Sequence, residues 1–229
     1  MITLYHDKLS APSRAARLIC AEYGEEVELI EEALWRRREA FVTLNPALTL
    51  PVLEADGVTV AGIHPVIEYL DETRGAMMRD RRLHAGNPAS RAETRRLVDW
   101  FMVKTESEVT RHIVRERAEK ISMPAEAGGG APNAQTLRQA RANAKHHMAY
   151  LEYLAGSRAW LAGDAMSYAD IAAAAAISSL DYLGEVDWTA YPYAKDWYGR
   201  LKSRPAFRPL LKDRVGRQPP VSHYADLDF

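Results

Sequence analysis

Ser10 is the hydroxyl best placed to do chemistry in this sequence, because it stands directly before a helix pattern that includes Leu18 and Ile19. The free N–H groups and the dipole at a helix N-terminus favour negative charge. A serine hydroxyl at that point can therefore help to stabilise a bound thiolate. The same hydroxyl is also what a helix N-cap requires. Ser10 is thus a candidate catalytic residue with a purely structural alternative.

The end of the chain carries a second group of candidates. Residues 224–229 alternate aromatic or apolar side chains with acids, whereas a disordered tail is normally polar and rich in proline or serine. This alternation predicts docking, either onto the protein's own helices or onto a partner. The candidate contacts are Tyr224, Asp226, Leu227, Asp228 and Phe229.

Two further groups of side chains could contact a partner. Trp35 precedes three arginines that end at Arg38, and tryptophan and arginine are enriched at the energetic centres of interfaces. The alternative is a solvated helix face with Trp35 tucked into the domain. Glu116 and Glu119 lie three residues apart, so on a helix they share one face. Together with the acids of the tail they could form one binding surface.

Composition excludes several classes of function. The net charge of the 229 residues is -1, so nothing in the overall charge favours nucleic acid or an anionic membrane. The most apolar run, residues 171–177, is too short to span a bilayer, and the N-terminus lacks the features of a signal peptide. A cytoplasmic protein is the resulting expectation.

Metal and disulfide chemistry are also not indicated. Cys20 is the only cysteine, so no intrachain disulfide can form. His146 and His147 are adjacent, and on a helix they point about 100° apart, which prevents them from sharing a metal. We therefore predict no metal and no cofactor.

The first part of the chain predicts a βαβ unit followed by a ββα unit. Residues 2–5 and 27–30 are β-branched or aromatic runs, a helix is expected between Ser10 and Gly24, and Asp56-Gly57 is a hairpin turn signal. The remaining predicted elements are a short helix over residues 35–41, strands over 51–53 and 58–60, and a helix over 65–73.

The rest of the chain predicts helices. A helix pattern runs from about residue 97 to 121, a glycine-rich break covers 123–133, and Ser167 with Asp170 forms a capping box before an alanine-rich helix. Small side chains at residues 172–176 let neighbours approach closely, so this helix should be central. The predicted domains are an α/β thioredoxin-like domain over 1–74, a linker over 75–87, an all-α domain over 88–214 and a tail over 215–229.

The order of Asn45-Pro46, Leu50-Pro51 and Asp56-Gly57 resembles the thioredoxin-like domain of glutathione transferases, and the helical second half fits that architecture. The resemblance implies that Ser10 stands where some members carry a catalytic serine. It also implies that Leu50 precedes a cis proline, Pro51, and pairs its backbone with the cysteinyl part of glutathione.

The sequence departs from that family where glutathione is gripped. The resemblance assigns an acidic or amide residue followed by serine to the start of the third helix, and here these positions hold Gly62 and Ile63. Pro65 also removes a helix N-terminal donor. Each missing charged hydrogen bond is worth roughly 1.5–3 kcal/mol. We therefore predict that glutathione binding is absent or weak.

A narrower resemblance is carried by four segments together. These are residues 35–39 (Trp-Arg-Arg-Arg-Glu), 69–75 (Tyr-Leu-Asp-Glu-Thr-Arg-Gly), 95–101 (Arg-Arg-Leu-Val-Asp-Trp-Phe) and 114–117 (Val-Arg-Glu-Arg). They resemble FzlA, a family of glutathione-transferase-like cell-division proteins of alphaproteobacteria.

That resemblance implies a non-catalytic homodimer at the division site. Such a protein would bind FtsZ filaments, bend or bundle them, and couple the division ring to septal wall constriction. The alternatives are an active glutathione transferase that uses Ser10 and a stress-type binding protein with another client.

Overall fold

A four-stranded mixed sheet forms the N-terminal part of the protein. The computed structural model describes residues 2–84, 86–216 and 218–227. The elements of this part are β1 (Ile2–His6), α1 (Ala11–Glu22), β2 (Val27–Glu31), α2 (Glu39–Leu44), β3 (Val52–Ala55), β4 (Val58–Ala61) and α3 (Ile63–Thr73). The strand order is β2-β1-β3-β4, with β1 parallel to β2 and the other two pairings antiparallel.

Local signals read from the sequence are confirmed at the ends of these elements. Ser10 caps α1, and Gly24, just beyond its end, has φ +74°. Asp56 and Gly57 both have positive φ in the turn between β3 and β4, as a tight hairpin requires. The Leu50–Pro51 peptide bond is cis.

The predicted helix over residues 35–41 is wrong in its extent. A short 3-10 helix covers Leu34–Arg36, Arg37 turns the chain at φ 46°, and α2 begins only at Glu39. The reason is visible beyond the turn, where Arg38 pairs with the buried carboxylate of Glu32. This pairing directs Arg38 back toward β2, which one continuous helix would not do.

The C-terminal part of the chain is helical. Its elements are α4 (Pro88–Asp99), α5 (Arg111–Val114), α6 (Lys120–Ser122), α7 (Ala134–Ser157), α8 (Tyr168–Tyr182), α9 (Pro192–Lys202) and α10 (Arg208–Leu211). The helix predicted to reach about residue 121 is present as a continuous helical segment over 88–122. It is widened by π-type turns at Trp100–Lys104, Glu106–Thr110 and Arg115–Glu119.

α8 is the central helix, as predicted. All 15 of its residues are buried, and both halves of the Ser167–Asp170 capping box are formed. α1 and α4 pack against it. Because Ala172 to Ala176 have small side chains, these neighbours can approach its backbone closely. This packing places the start of α1 beside the second domain.

The segments outside the regular helices carry some structure of their own. A 3-10 helix covers Gly75–Arg81, and Arg82 holds Asp71 of α3 through two hydrogen bonds. Another short 3-10 helix covers Ser222–Ala225 in the C-terminal segment. The domain boundaries given above stay predictions.

Within the described ranges, no helix is both long enough and apolar enough to cross a bilayer.

Candidate functional site

Several backbone donors around the start of α1 are used by the protein itself. The Ser10 hydroxyl accepts a hydrogen bond from the N–H of Ser13 at 3.4 Å, which is the capping geometry. A carboxylate oxygen of Asp7 accepts the N–H groups of Leu9 at 2.8 Å and Ser10 at 2.9 Å. A thiolate brought to Ser10 would therefore meet a carboxyl group that occupies the neighbouring donors.

Two further acids lie close to this point. Glu106 and Glu119, both on the 88–122 helical segment, interact electrostatically with Asp7. Burial raises the pKa of the Asp7 and Glu106 carboxyls. Burial, reinforced by repulsion from Asp7, raises the pKa of Glu119 to about 7. The surroundings of Ser10 thus favour neutral or cationic groups over a thiolate.

The positions that would grip glutathione offer no polar side chain. Gly62 caps α3 at φ +91°, which residues with side chains rarely adopt, and its N–H donates to the carbonyl of Pro51 at 2.8 Å. Ile63 is 6% exposed and belongs to the hydrophobic core. Leu50 is also buried. Leu50, Pro51, Gly62 and Ile63 therefore support the fold at this place. Weak or absent glutathione binding stays a prediction.

The Trp35–Arg38 segment is partly available to a partner. Trp35 is half-buried, and the guanidinium of Arg36 lies over its ring at 5.1 Å from the centroid. Arg36, Arg37 and Arg38 are all exposed, and Arg38 is also held by the carboxylate of Glu32. Arg36 and Arg37 are therefore more free to reorient toward a partner than Arg38.

Glu116 and Glu119 do not form the open acidic face that their spacing indicates. Glu116 is 5% exposed and accepts hydrogen bonds at 2.6 Å from both the Asn133 N–H and the Lys120 ammonium. It thereby fixes the residue that caps α7. Glu119 is half-buried and lies toward Asp7. The expectation of one shared exposed surface is corrected accordingly.

The tail docks onto the protein's own fold at Tyr224. This side chain is fully buried, its hydroxyl accepts a hydrogen bond from Arg14 at 2.8 Å, and its ring meets that of Tyr182 edge-on. Tyr224 is therefore a core residue and not a surface contact. Asp226 and Leu227 are exposed. The candidates Asp228 and Phe229 lie outside the described residues.

The tail is received by a cluster of buried ionic side chains that was not predicted from the sequence. Arg14 is fully buried and donates to the Lys8 carbonyl at 2.6 Å and to Ser178 at 2.8 Å. Arg17 holds Asp213 through two hydrogen bonds of 2.7 and 2.9 Å. One signal was available, because Arg14 precedes Leu18 by four residues and so lies on the apolar stripe of α1.

In the described parts of the chain, no group of three or more His, Cys, Asp or Glu residues is placed to hold an ion.

Family models match both halves of the chain. The model for the glutathione S-transferase N-terminal domain matches residues 9–73, and the model for the C-terminal domain matches residues 106–205. The fold is thus a glutathione-transferase fold, with a thioredoxin-like domain followed by a helical domain.

Individual relatives match over almost the whole length. FtsZ-localized protein A of Caulobacter vibrioides is 38% identical, over 99% of this chain and 98% of that protein. The structure of FzlA from C. crescentus superposes with a TM-score of 0.91 at 38% identity, covering 100% of this chain and 99% of that one. A structure described as a glutathione S-transferase from Sinorhizobium meliloti 1021 superposes with a TM-score of 0.98 at 59% identity, with both chains fully covered.

Proposed function

The chain belongs to the family of FtsZ-localized protein A, and on this premise we propose that it is a non-catalytic adaptor that binds FtsZ filaments in the cytoplasm at the division site. The observation that carries the proposal is the 38% identity to that protein along 99% of this chain. The relationship covers both domains and the tail, whereas the two family models leave the last 24 residues, 206–229, unmatched.

The geometry around Ser10 supports the non-catalytic part of the proposal. A serine that activates a thiol needs free donors or positive charge beside it. Here Asp7 uses the adjacent N–H groups, and Glu106 and Glu119 add negative potential whenever they are ionised. Ser10 acts as an N-cap in this arrangement.

The mechanism would be geometric. A two-fold dimer carries two copies of one filament-binding surface, so it can bridge neighbouring filaments or bend one, and thereby influence wall constriction. The surfaces available for this are the exposed arginines beside Trp35 and the last residues of the tail. Asp226 and Leu227 are exposed there, directly before Asp228.

Co-sedimentation with GTP-assembled FtsZ tests the proposal. The protein should pellet with FtsZ polymers and remain in the supernatant when GDP replaces GTP. Asp228→Lys should abolish pelleting, while Asp164→Lys, an equal charge change at an exposed aspartate of the helical domain, should not. A wild-type protein that stays in the supernatant with polymers present would overturn the proposal.

An active glutathione transferase is the second candidate, favoured by the hydroxyl of Ser10 at a helix N-terminus and by the description of the Sinorhizobium relative. This candidate predicts conjugation of glutathione to an electrophilic aromatic substrate, and Ser10→Ala should remove it. The adaptor proposal predicts that neither the wild type nor Ser10→Ala conjugates glutathione above the uncatalysed rate.

A further inference from the structure

The outer edge of β2 presents backbone groups in a regular pattern. β2 has only β1 as a neighbour in the sheet, and the N–H of Glu32 donates to the His6 carbonyl at 2.9 Å. In a parallel ladder, alternate residues direct both backbone groups at the partner strand. Glu28 and Ile30 therefore face β1, and the N–H and C=O groups of residues 27, 29 and 31 point outward. Within the described part of the chain, no protein group hydrogen-bonds to them.

A cavity with a mainly apolar lining lies beside this edge. It has a volume of about 150 Å³ and is lined on one side by Val27 and Leu29 of β2 and on the other by Cys20, Pro209 and Leu210. Arg17 and Glu25 also line it, and both are ion-paired within the fold. Leu29 is 44% exposed. An apolar cavity of about this size can hold benzene, so it can accept one branched aliphatic side chain. Because side chains alternate along a strand, Glu28 lies on the opposite face.

The edge is also strongly acidic. Residues 25–32 contain five glutamates and no basic residue. Glu25, Glu31 and Glu32 are paired with arginine or lysine side chains from elsewhere in the fold. Glu26 and Glu28 are exposed and have no such ion pair among the described residues. They leave negative charge on the side of the strand away from the cavity.

We propose that the outer edge of β2 is a docking site for an extended segment of another protein in which aliphatic and basic residues alternate. The backbone of the segment would continue the sheet by pairing with Val27, Leu29 and Glu31. One aliphatic side chain would enter the cavity, and the alternate basic side chains would lie beside Glu28. This mode of recognition combines main-chain hydrogen bonds with one pocket.

The charge pattern decides between this occupant and a second copy of the chain. Two β2 edges brought together would gather the glutamates of both copies along one strand pair, where like charges at close range repel one another. A segment with basic side chains would instead be attracted to these glutamates. The inference concerns a surface that filament binding through the tail does not use, so it goes beyond the proposed function.

The test uses the isotopically labelled full-length protein and a synthetic peptide of alternating valine and lysine with blocked ends. Hydrogen exchange of the Val27, Leu29 and Glu31 amides should slow when the peptide is added. The Glu28 and Ile30 amides should be unaffected, because they already donate to β1. A peptide with glutamate in place of lysine should leave all five amides unchanged.

A variant separates backbone pairing from general attraction. Leu29→Pro removes one outward N–H without removing a ladder bond, and proline is tolerated at strand edges for that reason. It should weaken peptide binding about tenfold, the effect of losing one well-formed hydrogen bond and its neighbours. Leu29→Thr, which also removes the leucine side chain but keeps the backbone N–H and favours a strand, is the matched control for the backbone contribution.

Three results would overturn the inference. They are peptide binding without protection of the three outward amides, equal binding of the glutamate peptide, and unchanged binding by a folded Leu29→Pro variant. The glutamate peptide is compared with the lysine peptide on the wild-type protein, so this part of the test does not depend on whether Leu29→Pro folds. FtsZ is absent from the experiment, and failure here leaves the co-sedimentation result untouched.

Discussion

At the scale of single residues, Asp7 determines what the start of α1 can bind. Its carboxylate accepts the N–H groups of Leu9 and Ser10. A carboxyl group of the protein itself thus lies where the start of α1 favours an anion. The Ser10 cap on which α1 depends is formed beside it.

Glutathione should bind weakly or not at all. The side chains that would hold its γ-glutamyl end are replaced by Gly62 and by Ile63, which is buried in the core. Two lost charge-assisted hydrogen bonds, worth roughly 1.5–3 kcal/mol each, weaken binding by a factor of hundreds or more. Titration calorimetry checks this, and a micromolar dissociation constant would contradict it. Ser10→Ala should leave the titration unchanged, since Ser10 acts as a cap.

Glu119 should make stability fall as pH rises. Its pKa is raised from 4.5 to about 7, chiefly by burial, so the folded protein binds the proton more tightly than the unfolded chain. The free energy of unfolding therefore decreases as pH rises from 4.5 to 7. Glu119→Gln should remove this loss and stabilise the protein by on the order of 1–3 kcal/mol above neutral pH.

Denaturant unfolding of both proteins across this pH range is the measurement. Below the unfolded pKa the carboxyl is protonated in both states, so the difference between Glu119→Gln and wild type should vanish there. Glu26→Gln, at an exposed glutamate of the same protein, controls for the loss of one charge. Parallel pH profiles of the wild type and Glu119→Gln would refute the expectation.

At the scale of elements, the C-terminal segment behaves as part of the helical domain. The Tyr182 hydroxyl donates to the Gln218 carbonyl at 2.9 Å and accepts the Val215 N–H at 3.0 Å. The Val221 N–H donates to the Tyr182 carbonyl at 3.1 Å. Tyr224 then reaches Arg14 of α1. The segment therefore joins the last helices to the first one.

Deletion of residues 224–229 should lower thermal stability. It exposes the pocket of Tyr224 and removes one acceptor of the buried Arg14 guanidinium. Tyr224→Phe isolates the second effect and should cost about 1.5–3 kcal/mol, the value for a hydrogen bond to a charged group. Denaturant unfolding measures both variants. Tyr153→Phe, at a tyrosine that is 67% exposed, should change nothing.

Equal stabilities of Tyr224→Phe and the wild type would show that the hydroxyl is dispensable. The predicted effect of Asp228→Lys is different, since it concerns FtsZ binding with the melting temperature unchanged. The two variants therefore separate the structural role of Tyr224 from partner binding by the last residues.

Elements whose signal is local were predictable from the sequence. The cap at Ser10, the turn at Asp56-Gly57 and the capping box before α8 depend on residues within a few positions of one another. The break at Arg37 was missed because it depends on the pairing of Arg38 with Glu32 on the other side of the turn, which follows no helical or strand period. The burial of Glu116 was missed for a related reason, as its partner Asn133 lies 17 residues away.

The candidate site also has some features that the sequence shows and others that only the fold creates. Sequence alone identified the missing polar side chains at Gly62 and Ile63, because an absent functional group needs no geometry. The hydrogen bonds of Asp7 reach only two and three residues along the chain, so this turn was a local signal that the prediction overlooked. The position of Glu119 near Asp7, in contrast, depends on the packing of two domains. That relationship leaves no periodic pattern in the sequence.

At the scale of the whole molecule, the helical domain presents a groove suited to self-association. It is lined by Arg96, Asp99, Trp100, Val103 and Lys104, and Val103 is 54% exposed. A two-fold interface places the same patch on both sides, so a patch with both charge signs around an apolar centre is self-complementary. This face is our candidate for the dimer contact.

Sedimentation equilibrium should give about twice the chain mass of 25.7 kDa. Val103→Glu should shift the protein toward the monomer, because it places a charge at the apolar centre of the contact. The control Tyr193→Glu alters an exposed residue of α9 and should leave the mass unchanged. A wild-type monomer at micromolar concentration would remove the bridging mechanism, although simple filament binding would survive.

The burial of Arg14 has a consequence for the order in which the protein is made. Its side-chain partners Ser178, Asp213 and Tyr224 leave the ribosome long after α1 has been synthesised. The nascent thioredoxin-like domain therefore carries an arginine that it must leave hydrated until translation is nearly complete. A chain that ends before Tyr224 therefore leaves the buried Arg14 guanidinium without one of its acceptors, so a defect at the C-terminus weakens the packing of a helix near the N-terminus.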